Sequence, residues 1–292
     1  MHTRALSVSS AAADLLALTK PRLSGLVVIT AAGGLWLAPG TVPVPKALIT
    51  LLALASVVGA ANALNCYLER DSDKLMERTR NRPLPAGRME PRVALWFGCS
   101  LAAVSLPVLF LAVNPLTGTL AAIAFFSYVL VYTPLKRKTS AAMLVGGLPG
   151  ALPPLIGWTA ATGRLEAPGF VLFALLYLWQ MPHFIAIALF RKEDYERAGI
   201  RVITVEKGDG LSRLYAVAYL VPLVATSVLP FTLGLAGTGY LVAAVLLGAL
   251  FLGLGFYGFI RELGRPWARQ LFLVSLIYLT GLFLALAVDG GQ

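Results

Sequence analysis

The chain has 292 residues, 58% of them hydrophobic and 13% charged, with a mean hydropathy of +0.78; this is too apolar for a water-soluble domain, and its apolar runs reach the roughly 20 residues that cross a bilayer. The formal charge of +10 and pI near 9.9 have no folded basic domain to sit on, so nucleic acid is excluded as a partner and the charge reads as topology signal with some phosphate binding. The two cysteines, Cys66 and Cys99, both fall in apolar runs, which argues against a disulfide framework or a CxxC metal site.

In chain order, residues 1–19 read as a short cytoplasmic tail, with neither the apolar core of a signal peptide nor the Arg-rich character of a transit peptide. Nine spans are expected near 22–39, 47–68, 93–112, 116–134, 141–162, 168–190, 211–233, 238–260 and 267–288. All but two of the 24 Lys and Arg fall in the tail and the even-numbered loops, the exceptions being Lys46 and Arg164. The positive-inside rule then puts the amino terminus and those loops in the cytoplasm and the carboxyl terminus outside, in a bacterial cytoplasmic membrane.

Acidic residues gather after the second span (Glu69, Asp71, Asp73, Glu77, Glu90) and after the sixth (Glu193, Asp194, Glu196, Glu206, Asp209). Solvated loops carry mixed charge without any function. Two such clusters four spans apart nonetheless suggest an all-α protein of two related four-helix halves plus a ninth helix around a central cavity, a single domain over 1–292. The run Gly146-Gly147-Leu-Pro149-Gly150-Ala-Leu-Pro153-Pro154 fits either a pocket beside the fifth span or close helix packing.

At about 100° per residue, Asn62, Asn65, Glu69 and Asp73 share an arc of about 80° on the second helix, and Asp71 points the other way. Oxygen ligands so spaced at the wet end of a span suit Mg²⁺, and Arg78 and Arg82 suit the phosphates it would bridge. The bland reading is a polar helix end with basic anchors; buried amides and carboxylates facing one way in lipid argue against it. Lys20, Arg22 and Lys136, the last in Lys136-Arg137-Lys138, read either as surface anchors or as further diphosphate ligands. His183 lies 11 residues before Asp194, on nearly the same face and about 16 Å deeper; Asn62 stands in the same relation to Asp73. That suggests one elongated pocket, diphosphate at its mouth and reacting carbons inside, with packing as the alternative role for His183.

The stretch Asn62–Leu84 resembles the first Asp-rich motif of the UbiA superfamily of intramembrane prenyltransferases, here Asn65, Glu69 and Asp73, with Glu at a position where Asp is usual. Thr19-Lys20-Pro21-Arg22, Tyr132-Thr133-Pro134-Leu135-Lys136-Arg137-Lys138 and Trp179-Gln180-Met181-Pro182-His183-Phe184, running on to Asp194-Tyr195 and Ala198-Gly199, resemble the haem O synthase family within it, in family order. Two departures stand out: Ala198, where a full second motif has Asp four after Asp194, a reduction the haem enzymes share, and Ala142, where family members often have Asn.

The resemblance implies farnesyl diphosphate and haem B as substrates and Mg²⁺ as cofactor. Asn65, Glu69, Asp73 and Asp194 would then serve the metal, Arg78 and Arg82, with Lys136, Lys20 and Arg22, the diphosphate, and Asn62 and His183 the catalytic haem end. It also implies membrane lipid and haem-handling or oxidase-assembly proteins as partners. For His183 it leaves iron ligation, a propionate contact and assistance to water open. The rival readings are a UbiA-type aromatic prenyltransferase of quinone or chlorophyll biosynthesis and, from another class, a secondary transporter.

Overall fold

The computed structural model describes residues 8–290, and within them the chain is helical with a single isolated bridge between Ala236 and Gly290. The helices are α1 (Val8–Leu18), α2 (Pro21–Leu37), α3 (Val44–Asp73), α4 (Pro91–Val113), α5 (Pro115–Leu135), α6 (Ala142–Thr162), α7 (Ala167–Phe190), the short α8 (Lys192–Arg197) and α9 (Ile203–Glu206), α10 (Gly208–Thr232), α11 (Thr238–Ile260) and α12 (Arg265–Asp289). Pro21, Pro91 and Pro115 open their helices, where the missing N–H is no loss and the fixed φ is already helical.

Each expected span coincides with one long helix, but three boundaries or segments differ. The described part of the expected tail is helix α1, bent 47° from α2, and residues 1–7 lie outside the described residues. Seven helices are long and apolar enough to cross a membrane alone, and α1 with α2 makes an eighth. The fifth span, α6, stands outside that set because Pro149, Pro153 and Pro154 dilute its hydropathy. It needs less, since residues 151–160 are all buried in protein. Helix α3 continues to Asp73, five residues beyond the expected span, which carries the acidic stripe on unbroken helix.

The buried apolar residues form two main clusters. One joins α3, α4 and α5, and the other joins α7, α10, α11 and α12; α2 and α6 contribute to both, through Ala31 and Leu37, and through Ile156 and Trp158. This is the two-half architecture, with α2 and α6 as its seam and α12 closing against α2 where Phe283 meets Gly33. The seam requires glycine: a Cβ on Gly34 would stand 1.9 Å from the Pro154 carbonyl oxygen, and one on Gly157 equally close to that of Ala31. Small residues that let backbones touch are how helices associate where lipid removes the hydrophobic drive. Large apolar side chains such as Leu26, Trp96 and Leu111 cover the outside.

Two wide turns interrupt the first half, at Leu109–Val113 and Ser127–Tyr132, where the hydrogen bonds skip an extra residue. Such π turns shift the face that follows. The second delivers Thr133 and Lys136 onto α3.

Candidate active site

Cations from three segments converge on the last three turns of α3. The expected stripe is present: Asn62, Asn65, Glu69 and Asp73 are 7%, 2%, 4% and 1% exposed, whereas the Asp71 side chain is 71% exposed beside Arg70 and Lys74. Lys20, in the α1–α2 turn, adopts a left-handed conformation with φ of 50°, uncommon outside glycine. From there its Nζ donates to Asn65 Oδ1 at 3.0 Å. At the end of α5, Thr133 Oγ1 accepts from Asn65 Nδ2 at 3.2 Å and Lys136 forms an ion pair with Glu69. In the α3–α4 loop, Arg82 Nη1 donates to Asp73 Oδ2 at 2.6 Å, and Thr79 Oγ1 donates to the Asp73 carbonyl at 2.8 Å, closing the helix end. These side chains meet one another directly, so at its mouth the expected cavity is occupied by ion pairs.

One buried carboxylate oxygen, Asp73 Oδ1, remains without a hydrogen-bond partner, while Glu69 Oε1 is held by the Lys136 ammonium. Unsatisfied buried oxygens are costly, and hard oxygens of this kind are what Mg²⁺ takes. The donor set therefore fits the metal, with Asn65 as the neighbouring amide. Among the described residues no three His, Cys, Asp or Glu side chains cluster tightly enough to hold an ion, so much of its shell would come from substrate oxygens and water. Asp194, expected as a further ligand, does not form a three-carboxylate cluster with Glu69 and Asp73. It pairs with Arg191 at 3.4 Å and with Arg197, and shares a recess with Arg78, Met76 and Tyr195.

The loop after α7 braces the site. Arg201 N donates to the Lys136 carbonyl at 3.0 Å, and Glu206 Oε2 accepts from Ser140 N at 2.6 Å, which holds the Glu206 carboxyl below its usual range. Met76 packs with Ala198 and Ile200, tying the α3–α4 loop to the same brace. Burial opposes the charge on Lys136, but Tyr132, Glu69 and Asp73 outweigh it, and its pKa is raised above that of an ordinary lysine.

The remaining expected residues scatter. Arg22 and Arg78 are exposed, Arg22 with no hydrogen bond or ion pair among the described residues. Asn62 is committed to the α1–α2 turn, its Nδ2 lying 3.3 Å from the Thr19 carbonyl and 3.4 Å from Ser24 Oγ. His183 turns to α12, where Nδ1 lies 2.7 Å from Ser275 Oγ. The two are held by different helices, and no hydrogen bond joins them. Sequence reasoning missed Thr133, Thr79, Ser275 and Arg137, whose Nη2 donates to Ser72 Oγ at 2.8 Å. Thr133 stood inside a block noted for its basic residues, so a signal existed; a lone serine in an apolar helix offers none.

Residues 26–277 match the model of the UbiA prenyltransferase family. Protoheme IX farnesyltransferase of Myxococcus xanthus is 65% identical over 99% of this chain and 98% of its own, and that of Sorangium cellulosum 52% identical over 90% and 99%. Among solved structures, a digeranylgeranylglyceryl phosphate synthase superposes with a TM-score of 0.82 at 20% identity, covering 95% of this chain and 98% of the other. A UbiA homologue from Archaeoglobus fulgidus bound to GPP and Mg²⁺ superposes at 0.68 and 14% identity, covering 94% and 99%. At such identities the superpositions show a shared fold; the sequence matches carry the assignment, and by them the chain belongs to the UbiA prenyltransferase family and is a prenyltransferase of its haem O synthase branch.

Proposed function

We propose that the protein transfers the farnesyl group of farnesyl diphosphate to a vinyl group of haem B, with addition of water, giving haem O and diphosphate in a Mg²⁺-dependent reaction. The allylic C–O bond breaks, a C–C bond forms to the outer vinyl carbon, and water adds to the inner one with loss of a proton. The names of the relatives support the substrates. The observation that carries the chemistry is the pair of buried carboxylates, Glu69 and Asp73, faced by Lys136 and Arg82, with Asp73 Oδ1 left without a partner.

Asn65, Glu69 and Asp73 would hold Mg²⁺, which when bound would neutralise charge on the departing diphosphate. Arg82 offers that diphosphate a planar fork and Lys136 a point charge. Arg78, exposed at the rim beside Asp194, is placed to meet it on entry. These groups bind the charge that grows as the C–O bond lengthens better than they bind the ground state. The apolar bundle below the mouth keeps water from the allylic cation until the vinyl group captures it. The basic-loop asymmetry supports a bacterial cytoplasmic membrane, with this mouth and the amino terminus in the cytoplasm and the carboxyl terminus outside.

The test is one of acceptor choice. Purified protein in detergent is given labelled farnesyl diphosphate and Mg²⁺ with haem B in one vessel and a phenolic quinone precursor in another. Label in the haem fraction alone supports the reading; label in the phenol overturns it.

A further inference from the structure

One turn apart on α7, Trp179 and His183 both lean on a single residue of α12. Trp179 Nε1 donates to the Ser275 carbonyl at 2.7 Å, and His183 Nδ1 lies 2.7 Å from the Ser275 hydroxyl. That hydroxyl lies 2.6 Å from the Phe272 carbonyl oxygen. Two oxygens so close repel unless a hydrogen lies between them, and a serine has only one to give. It is spent on Phe272, so towards His183 the Ser275 oxygen is an acceptor, and Nδ1 must carry the proton. In a neutral imidazole the lone pair is then on Nε2.

The ring is held as well as its proton. Trp179 stacks on it with centroids 4.6 Å apart, and Phe272 lies at 4.8 Å. Among the described residues Nε2 has no hydrogen-bond partner, and it retains accessible surface on a residue only 8% exposed. The histidine thus shows its surroundings one unprotonated nitrogen in a fixed direction.

We propose that Ser275 is a positioning residue that fixes the Nδ1–H tautomer of His183, so that His183 meets the substrate as an acceptor through Nε2. This rests on the haem reading for the identity of the substrate. Of the roles open to His183, it retains iron ligation and acceptance of the proton from the added water, both of which use a lone pair. It removes hydrogen-bond donation to a propionate. Partners that fix the tautomer of a functional histidine typically matter about 10–100-fold when mutated.

The first measurement needs no haem. The chain has two histidines, His2 and His183, so ¹⁵N spectra of histidine-labelled protein, with His183→Gln to assign them, read the tautomer directly. The expected result is a protonated Nδ1 and an unprotonated Nε2 in the wild type, with Ser275→Ala shifting the proton towards Nε2. A wild-type ring protonated at Nε2 overturns the proposal. The second measurement is turnover with haem B. Ser275→Ala should lose about 10–100-fold in kcat, Ser275→Thr should restore it because the hydroxyl returns, and Ser275→Val should not. Farnesyl diphosphate binding should stay at the wild-type value throughout, and melting should fall by no more than the few degrees of one lost buried hydrogen bond or one added methyl. An altered haem absorption spectrum in Ser275→Ala marks iron ligation, whereas an unaltered spectrum with a changed pH profile of kcat marks proton acceptance. Equal kcat in the Ala, Thr and Val variants overturns the positioning role. A wild-type protein that shows the Nδ1–H tautomer but converts no haem overturns the substrate reading instead, and with it the role assigned to Nε2.

Discussion

Arg82 Nη1 donates to Asp73 Oδ2 across 2.6 Å, from a side chain 28% exposed to one almost wholly enclosed. The residue suited to diphosphate is thus already held by one suited to Mg²⁺, and part of its side chain stays exposed. Replacing Asp73 by Asn keeps the shape and removes the charge. Turnover should fall by about 10²–10³-fold, the scale for a group that stabilises transition-state charge, while the folded protein persists. Arg82→Lys should lose about tenfold or more, because an ammonium cannot reproduce the fork. Steady-state rates over a Mg²⁺ titration check both; a near-normal Asp73→Asn rate contradicts the assignment. Asp71→Asn, on the exposed side of the helix, serves as the control and should stay within about twofold.

Lys136 supplies a pH prediction. Its pKa is raised, so its pairing with Glu69 is complete below the ordinary lysine value of about 10.4 and is lost only as pH rises through the higher folded value. The rate should therefore show no lysine-dependent fall between about pH 7 and pH 9.5. A basic limb in that window that disappears in Lys136→Arg would show that Lys136 titrates in the ordinary range or below it.

Asn62 separates clasp from chemistry. Its two long hydrogen bonds to the α1–α2 turn are worth about 0.5–1.5 kcal/mol each. Asn62→Ala should lower the melting temperature in detergent by a few degrees, as expected for about 1 kcal/mol, and keep turnover within about threefold. A hundredfold loss of rate with unchanged melting would instead place the amide at the reacting centre.

What could be read from the sequence follows from which features are local. The stripe from Asn62 to Asp73 was legible because helix geometry fixes the face from spacing alone, and all four side chains are buried as expected. The spans were legible from apolar runs, including α6, whose prolines lower its hydropathy and whose burial between the halves lets it tolerate them. What brings Thr133 and Lys136 onto that stripe was not legible. It depends on a π turn at Ser127–Tyr132, which no periodicity in the chain announces. Asn62 keeps its 11-residue offset from Asp73 on the unbroken α3, but its contact with the α1–α2 turn, which folds back to meet it, is not a local feature and was not legible. The arginine partners of Asp194, Arg191 and Arg197, and the recess it shares with Arg78 were likewise not legible from spacing alone.

The α2–α6 seam gives a prediction about folding. Gly34→Leu must displace the Pro154 backbone, from which even a Cβ would stand only 1.9 Å away. Overpacking of this kind costs about 1–3 kcal/mol or more. Thermal unfolding in detergent should show a clear loss of stability. Gly25→Leu, on the same helix with open space around it, should show little.

The central claim is that the Glu69–Asp73 mouth releases diphosphate so that the farnesyl group ends on haem with a hydroxyl beside it. The most direct measurement is the mass of the haem recovered after incubating detergent-solubilised protein with haem B, farnesyl diphosphate and Mg²⁺ in water enriched in ¹⁸O. The account predicts a product heavier than haem B by one farnesyl and one hydroxyl, with ¹⁸O in the hydroxyl. It also predicts that this product is absent with EDTA and in Asp73→Asn. Haem recovered unchanged by the wild-type protein, or a farnesylated haem without solvent oxygen, would contradict it.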